Sequence, residues 1–244
     1  MIAFTCKQLQ PTGINPGRHR KARHGGLQMI GVIVPVHNEE QRLEECIESL
    51  LAAAFHQDLD REEVRILIVL DDCTDASLDI AQAYDVWTLS CNHRNVGKTR
   101  AQGAEHLLAK DARWLAFTDA DSVVPDTWLT EQIRFNADAV CGLVEVSDWS
   151  EHPERVRERY HASYHTVDGH RHIHGANLGV SSAAYRKAGG FQALPAHEDV
   201  QLVADLERSG ARTMWTARNR VTTSARQHCR CREGFGDYLK SLAF

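Results

Sequence analysis

The sequence predicts an α/β fold on a mostly parallel sheet with helices over both faces. Three observations carry that prediction. Apolar runs of strand length alternate with stretches whose apolar residues recur at helical spacing. The runs read as buried strands, and such alternation argues for a covered parallel sheet. Three of them end in carboxylates, at the edge where open α/β sheets bind ligands.

Residues 30–36 form the first strand. Asn38 is placed to cap the next helix, with Gln41 three residues on, and Leu43, Cys46, Ile47, Leu50 and Ala54 follow at helical spacing. Residues 64–70 are the second strand and run into Asp71 and Asp72. Asp75 opens a short helix to Tyr84, residues 86–89 are the third strand, and a helix covers about 99–110. The fourth strand starts at Trp114 and leads into Thr118-Asp119-Ala120-Asp121. In a continuing strand Asp119 and Asp121 share one face.

Beyond about residue 146 the pattern loosens. A polar helix is expected around 151–164, a His-rich loop at 170–175 and a short strand at 177–181. Helices follow at 182–188, stopped by Gly189-Gly190, and at 199–209, with Leu202, Val203 and Leu206 inside. A basic tail covers 222–244, and Arg218, Arg220, Arg226, Arg230 and Arg232 cluster in and before it.

The chain has 244 residues, enough for one large domain or two small ones with a sizeable core. Its net charge of −5 argues against a general nucleic-acid binder. No apolar run reaches the roughly 18 residues that span a bilayer. Seven scattered cysteines, with Cys46 and Cys141 in apolar patterns, suit a reducing cytosol better than a disulfide framework. Cys229-Arg-Cys231 lacks a second pair at zinc-site spacing. Residues 1–28 are rich in Gly, Pro and Arg and read as a disordered extension or as sequence upstream of a start at Met29. The alternative is a basic arm on an anionic membrane surface.

The chain lacks a Gly-x-Gly-x-x-Gly loop and a Walker lysine. A bound diphosphate therefore needs a metal, and Asp119 with Asp121 can hold a hard divalent cation. Glu39, Asp71 with Asp72, and Asp119 with Asp121 converge on one sheet edge, although an Asp after a strand is ordinarily a cap or turn residue. The 92–98 segment carries Arg94 and Lys98, with Arg100 beyond, and suits base, ribose or phosphate, or else is a solvated basic loop. Glu198-Asp199 opens a helix whose dipole favours ionised carboxylates; the pair is either an acidic first turn or a base for an attacking hydroxyl. His161, His165, His170, His172, His174 and His197 crowd one region, and His228 is a candidate metal ligand.

In order, the motifs are Pro35-Val-His-Asn-Glu39, Leu70-Asp-Asp-Cys-Thr-Asp75, Asn92-x-x-Asn-x-Gly-Lys-x-x-Ala101, Thr118-Asp-Ala-Asp121, Gly175-Ala-Asn-Leu178 and His197-Glu-Asp-Val200. This series resembles the family 2 glycosyltransferases of the GT-A fold over about residues 29–210. The resemblance implies inverting, metal-assisted transfer of a sugar from a nucleotide-diphosphate donor. It implies that Pro35, His37 and Glu39 border base and ribose, that Asp72 or Asp71 reads the base, and that Lys98 and Arg100 lie near the nucleotide. Asp119, next to Ala120, approaches ribose or metal, and Asp121 ligates Mg²⁺ or Mn²⁺. Gly175, Ala176 and Asn177 line the donor sugar and acceptor site, and Asp199, beside Glu198, is the base.

On this reading residues 29–145 bind the nucleotide sugar, and 146–244 bind the acceptor and carry the tail. His37 departs from the family's frequent aromatic, and the Asp71–Asp75 loop is one residue short. The Gln-x-x-Arg-Trp signature of processive polymerases is absent, which favours addition of one sugar at a time. The acceptor is a glycan, a lipid-linked sugar or a small molecule, and the expected location is the cytoplasm, including the inner membrane face. Two other readings stand beside this one. Asp119-x-Asp121 after an apolar strand also fits haloacid-dehalogenase-type phosphatases, where the first Asp is a nucleophile, and the chain could be a non-catalytic sugar-nucleotide binder.

Overall fold

Met29–Val36 offers no polar face, so the strand it forms, β1, must be covered on both sides. In the computed structural model, which describes residues 29–60, 62–226 and 234–243, it is. Ile30, Val32, Val34 and Val36 pack against Leu43, Cys46, Ile47 and Leu50 of helix α1 (Leu43–Ala54). Met29 and Ile33 pack on the opposite face with Ala104 and Leu107 of α3 (Val96–Leu108). β2 (Glu63–Asp71) and β4 (Ala112–Phe117) alternate in the same way, with Ile66, Ile68, Trp114 and Ala116 on one side and Leu67, Val69, Leu115 and Phe117 on the other. Each such large side chain, once buried, contributes about 1.5–3 kcal/mol. At Gly103 an added Cβ would lie 2.7 Å from Ile33 and 2.9 Å from Val69, so α3 sits as close to the sheet as it does only because that residue is glycine.

The remaining elements are α2 (Ser77–Gln82), β3 (Trp87–Cys91), β5 (Ser122–Val123), α4 (Trp128–Ile133), β6 (Ala139–Val146), α5 (Glu154–Ser163), β7 (Leu178–Ser181), α6 (Ser182–Ala188), α7 (Glu198–Arg208), β8 (Thr213–Thr223) and α8 (Phe235–Ser241), with a 3₁₀ turn at Gln57–Leu59. One sheet runs β3-β2-β1-β4-β7-β6-β8-β5. β3, β2, β1 and β4 are mutually parallel, as are β6 and β8; β7 is antiparallel to β4 and β6, and β5 is antiparallel to β8. The α/β expectation holds, and every antiparallel pairing is made by β7 or β5.

The β5–β8 pairing decides the site. Ser122 pairs with Thr223 and Val123 with Thr222, and Ser122 Oγ donates to Thr223 Oγ1 at 3.0 Å. β5 starts right after Asp121. The far end of the sheet is thereby folded back onto the exit of β4.

Several local expectations are corrected. Asn38 does not cap α1: it lies at φ 55° and its Oδ1 accepts from Thr74 N–H at 2.7 Å, so it ties the first loop to the second. The chain leaves the sheet at Thr118, so Asp119 and Asp121 are not on one strand face. Arg218 and Arg220 belong to β8, not to a tail, and Arg220 pairs with Glu145 of β6. Strands β6 and β8 were not anticipated; in β8 Trp215, Thr216, Asn219 and Val221 are buried, with a register shift against β6 between Trp215 and Arg220. Residues 1–28, His228, Cys229, Arg230, Cys231 and Arg232 lie outside the described residues.

Candidate active site

The chain passes from β1 outward through β2 and β3, then returns to β4 on the other side of β1. Strand order reverses between β1 and β4, and open α/β sheets bind ligands outside the carboxyl ends at such a point. Glu39 follows β1 there, and Asp119 and Asp121 follow β4.

Asp71, at the end of β2, is buried. Oδ1 accepts from the N–H groups of His93 (2.6 Å) and Arg94 (2.9 Å), and Oδ2 from Asn95 N–H (3.1 Å) and Thr99 Oγ1 (2.8 Å). Burial alone raises its pKa, but the N–H of Arg94, the Thr99 hydroxyl and the N–H groups of Asn95 and His93 outweigh it, and the pKa is lowered. That carboxylate organises the 92–95 loop and has no capacity left for a base. Asp72, at φ 51°, turns outward instead and pairs with Arg94. His37 Nδ1 meets the Asp71 carbonyl at 2.6 Å, half-buried Pro35 lies in β1 beside Val69, and Lys98 is exposed in the first turn of α3, which Asn95 caps.

Arg100 is 3% exposed. One terminal nitrogen donates to Asp119 and the other to Glu198. Burial disfavours its charge, yet Asp119, Glu198 and Asp199 together raise its pKa. The guanidinium stacks 5.6 Å over Phe191. Arg100 is thus an internal bridge, not an open nucleotide contact. Glu198 is buried by the same pairing; burial raises its pKa and Arg100 opposes the rise. Asp199 is half-exposed. Its Oδ2 accepts from Gly175 N–H at 2.7 Å and its Oδ1 from Val200 N–H at 2.8 Å. An added Cβ on Gly175 would lie 2.5–2.7 Å from the Arg100 guanidinium.

Two expected ligands are corrected. Asn177 is 1% exposed, and its side chain is spent inside the protein: Nδ2 donates to the carbonyls of Leu143 (2.8 Å) and Asn219 (3.0 Å), and Oδ1 accepts from Trp128 Nε1 (3.0 Å). Ala120 packs in the core between the two aspartates. Arg226 was legible only as part of a basic cluster. It forks onto Glu39, Nη1 to Oε2 at 2.7 Å and Nη2 to Oε1 at 2.5 Å, and lies 3.2 Å from Asp121 Oδ2. Burial, with the charges of Asp119 and Glu39, pushes the Asp121 carboxyl up to about 6 against Arg226 and Arg42.

The oxygen donors here fit a hard divalent ion, which ordinarily takes one or two carboxylates and completes its shell with substrate phosphates and water. Asp121 and Asp119 could hold such an ion. Among the described residues no group of three or more His, Cys, Asp or Glu side chains is arranged as a metal cage, so the histidine-rich loop forms none.

The profile described as Glycosyl transferase family 2 matches residues 31–189, more than half of the sequence and every motif up to the Gly175-Ala-Asn segment. The chain belongs to glycosyl transferase family 2. Membership sets aside the phosphatase reading of Asp119. A 55-residue segment, 22% of the chain, is 38% identical to the poly(ribitol-phosphate) beta-glucosyltransferase of Bacillus spizizenii, of which it covers 8%. Among solved structures, S. aureus TarS residues 1–349 in complex with UDP-GlcNAc is similar at TM-score 0.64 and 16% identity, over 88% of this chain and 64% of that one. The mannosyltransferase PcManGT from Pyrobaculum calidifontis, in complex with GDP-Man and Mn²⁺, is similar at TM-score 0.63 and 15% identity, over 86% and 59%. This family 2 chain spans about three fifths of those solved chains, and at such identity the likeness is one of fold. Among the described residues of this family 2 chain, no helix is long and apolar enough to cross a membrane.

Proposed function

We propose that the chain transfers a sugar from a nucleoside-diphosphate donor to an acceptor hydroxyl, with inversion and one sugar per encounter. The observation that carries this reading is Arg100. One guanidinium touches both Asp119, at the exit of β4, and Glu198, beside Asp199. A carboxylate for the leaving-group side and one for the acceptor side are thus held within a side chain's width of each other.

Asp199 is the base in this reading, because it is the accessible member of the acidic pair and sits in the first turn of α7, where the helix dipole favours negative charge. It takes the acceptor proton as the acceptor oxygen bonds to the anomeric carbon from one face and the bond to the diphosphate breaks on the other. Gly175 N–H orients it. Asp72 and His37 are the candidates to meet the base, and Glu39 the ribose. Asp121 and Asp119 hold Mg²⁺ or Mn²⁺, which when bound supplies charge neutralisation at the departing diphosphate. The similar structures hold UDP-GlcNAc in one case and GDP-Man with Mn²⁺ in the other, which supports the donor class. The described cysteines are free thiols, which suits a reducing cytoplasm, with contact at the inner membrane face as one way to meet a lipid-linked acceptor.

The test is a panel of UDP-, GDP- and dTDP-sugars with Mn²⁺, read as nucleoside diphosphate release. D199N is expected to keep donor affinity and to lose transfer by about 10²–10⁴-fold. Release of inorganic phosphate, or no binding of any nucleotide sugar, would overturn the reading; binding with no turnover on any acceptor would leave a sugar-nucleotide binder.

A further inference from the structure

Arg226 stands at the exit of β8, and the β5–β8 pairing delivers it to the switch point between β1 and β4. There it holds both oxygens of Glu39 and lies 3.2 Å from Asp121, the carboxylate assigned above to the metal. Arg226 faces Asp121 Oδ2, so a divalent ion on that same oxygen would meet the guanidinium at contact distance. Building on the glycosyltransfer reading, we propose that Arg226 is a binding residue for the donor diphosphate, parked in the donor-free protein on Glu39 and Asp121, where it keeps the divalent ion out until the donor arrives.

Charge and geometry both favour the hand-over. Asp119 already has Arg100, whereas Glu39 and Asp121 share Arg226. A divalent ion arriving alone must displace the guanidinium from Asp121 and brings it no anionic partner in exchange. A donor arriving with the ion brings two negative charges, so the pair adds no net charge. It also offers phosphate oxygens, and the arginine fork matches phosphate as well as it matches carboxylate. Metal and donor therefore bind together, each strengthening the other, and the coupling is reciprocal.

The experiment is calorimetric titration of the full chain with Mn²⁺ alone, with UDP or GDP alone, and with both, in wild type, R226A and R226K. In wild type, Mn²⁺ is expected to bind at least tenfold more tightly when the nucleotide is present. In R226A, Mn²⁺ alone is expected to bind at least tenfold more tightly than in wild type, and the nucleotide with Mn²⁺ at least tenfold more weakly. R226K keeps the charge without the fork and is expected to resemble R226A for the nucleotide; it also serves if R226A fails to fold by circular dichroism. Equal Mn²⁺ affinity in wild type and folded R226A, or an unchanged nucleotide affinity in either folded variant, overturns the assignment. If wild type binds the nucleotide with Mn²⁺ and the variants match it, only the role of Arg226 falls; if wild type binds neither nucleotide, the glycosyltransfer reading falls with it.

Discussion

Arg100 reaches across 98 residues of sequence to Glu198, and the ion pair they form is closed off from water. Breaking a buried pair from one side leaves the other charge uncompensated, which costs about 3–5 kcal/mol. R100M strands the buried Glu198 and also frees Asp119, which water can reach. It is expected to lose that amount in urea unfolding, and E198Q less, because an amide keeps a hydrogen bond to the guanidinium. Equal stability of R100M and wild type would show that the bridge is not a structural element of the site.

Gly175 is tested by a single methyl. Its added Cβ meets a guanidinium held at both ends, so the neighbour cannot swing away. G175A is expected to cost about 1–3 kcal/mol by overpacking and to reduce transfer by more than its stability loss predicts, because Gly175 N–H also holds Asp199. Thermal unfolding and turnover measured on one preparation separate the two effects.

Asp71 and Asp72 are neighbours with opposite expected phenotypes. D71N keeps one acceptor oxygen where two now take four donors, so it is expected to loosen the 92–95 loop, lower the melting temperature and weaken nucleotide binding together. Hydrogen bonds to a charged group contribute roughly 1.5–3 kcal/mol each. D72N touches only an outward pair with Arg94 and is expected to leave the unfolding free energy within about 0.5 kcal/mol of wild type. A change in base preference among UDP, GDP and dTDP for D72N, and not for a stability-matched control, checks its proposed contact.

The histidine loop sets a pH dependence. Val144 N–H donates to Tyr164 Oη at 3.0 Å, and the phenol oxygen shares a hydrogen bond with His174 Nε2 at 2.8 Å. Burial, helped by His172 and His170, pushes the His174 pKa down to about 3, and those of His170 and His172 are also lowered, chiefly by burial. The unfolded chain then binds protons that the folded chain refuses. Stability from His174 is complete above about pH 6.5 and is lost as pH falls toward 3, by up to about 1.4 kcal/mol per unit. Urea midpoints between pH 4.5 and 7.5 should fall on the acid side, and H174Q should flatten the slope by close to one proton.

The first half of the fold was legible because β1, β2 and β4 are buried on both faces and so carry unbroken apolar runs. Strand β8 was not: its buried residues Trp215, Thr216, Asn219 and Val221 follow no clean alternation, and Arg218 and Arg220 made the segment look like a basic tail. Asn177 shows the same limit in the site. It sits in a motif that reads as ligand-lining, yet Trp128, Leu143 and Asn219 use all of its side-chain bonds.

The order of motifs was sufficient to expect the family and the sheet edge at which its chemistry collects, since local pattern fixes where strands end and which residues follow them. Which carboxylates stay available was decided only in three dimensions. Arg100 consumes Glu198 and reaches Asp119, and Arg226 reaches Glu39 over 187 residues because β8 is folded back onto β5. Whether a charge is open or already neutralised depends on partners brought close by packing, and separation along the chain carries no record of them.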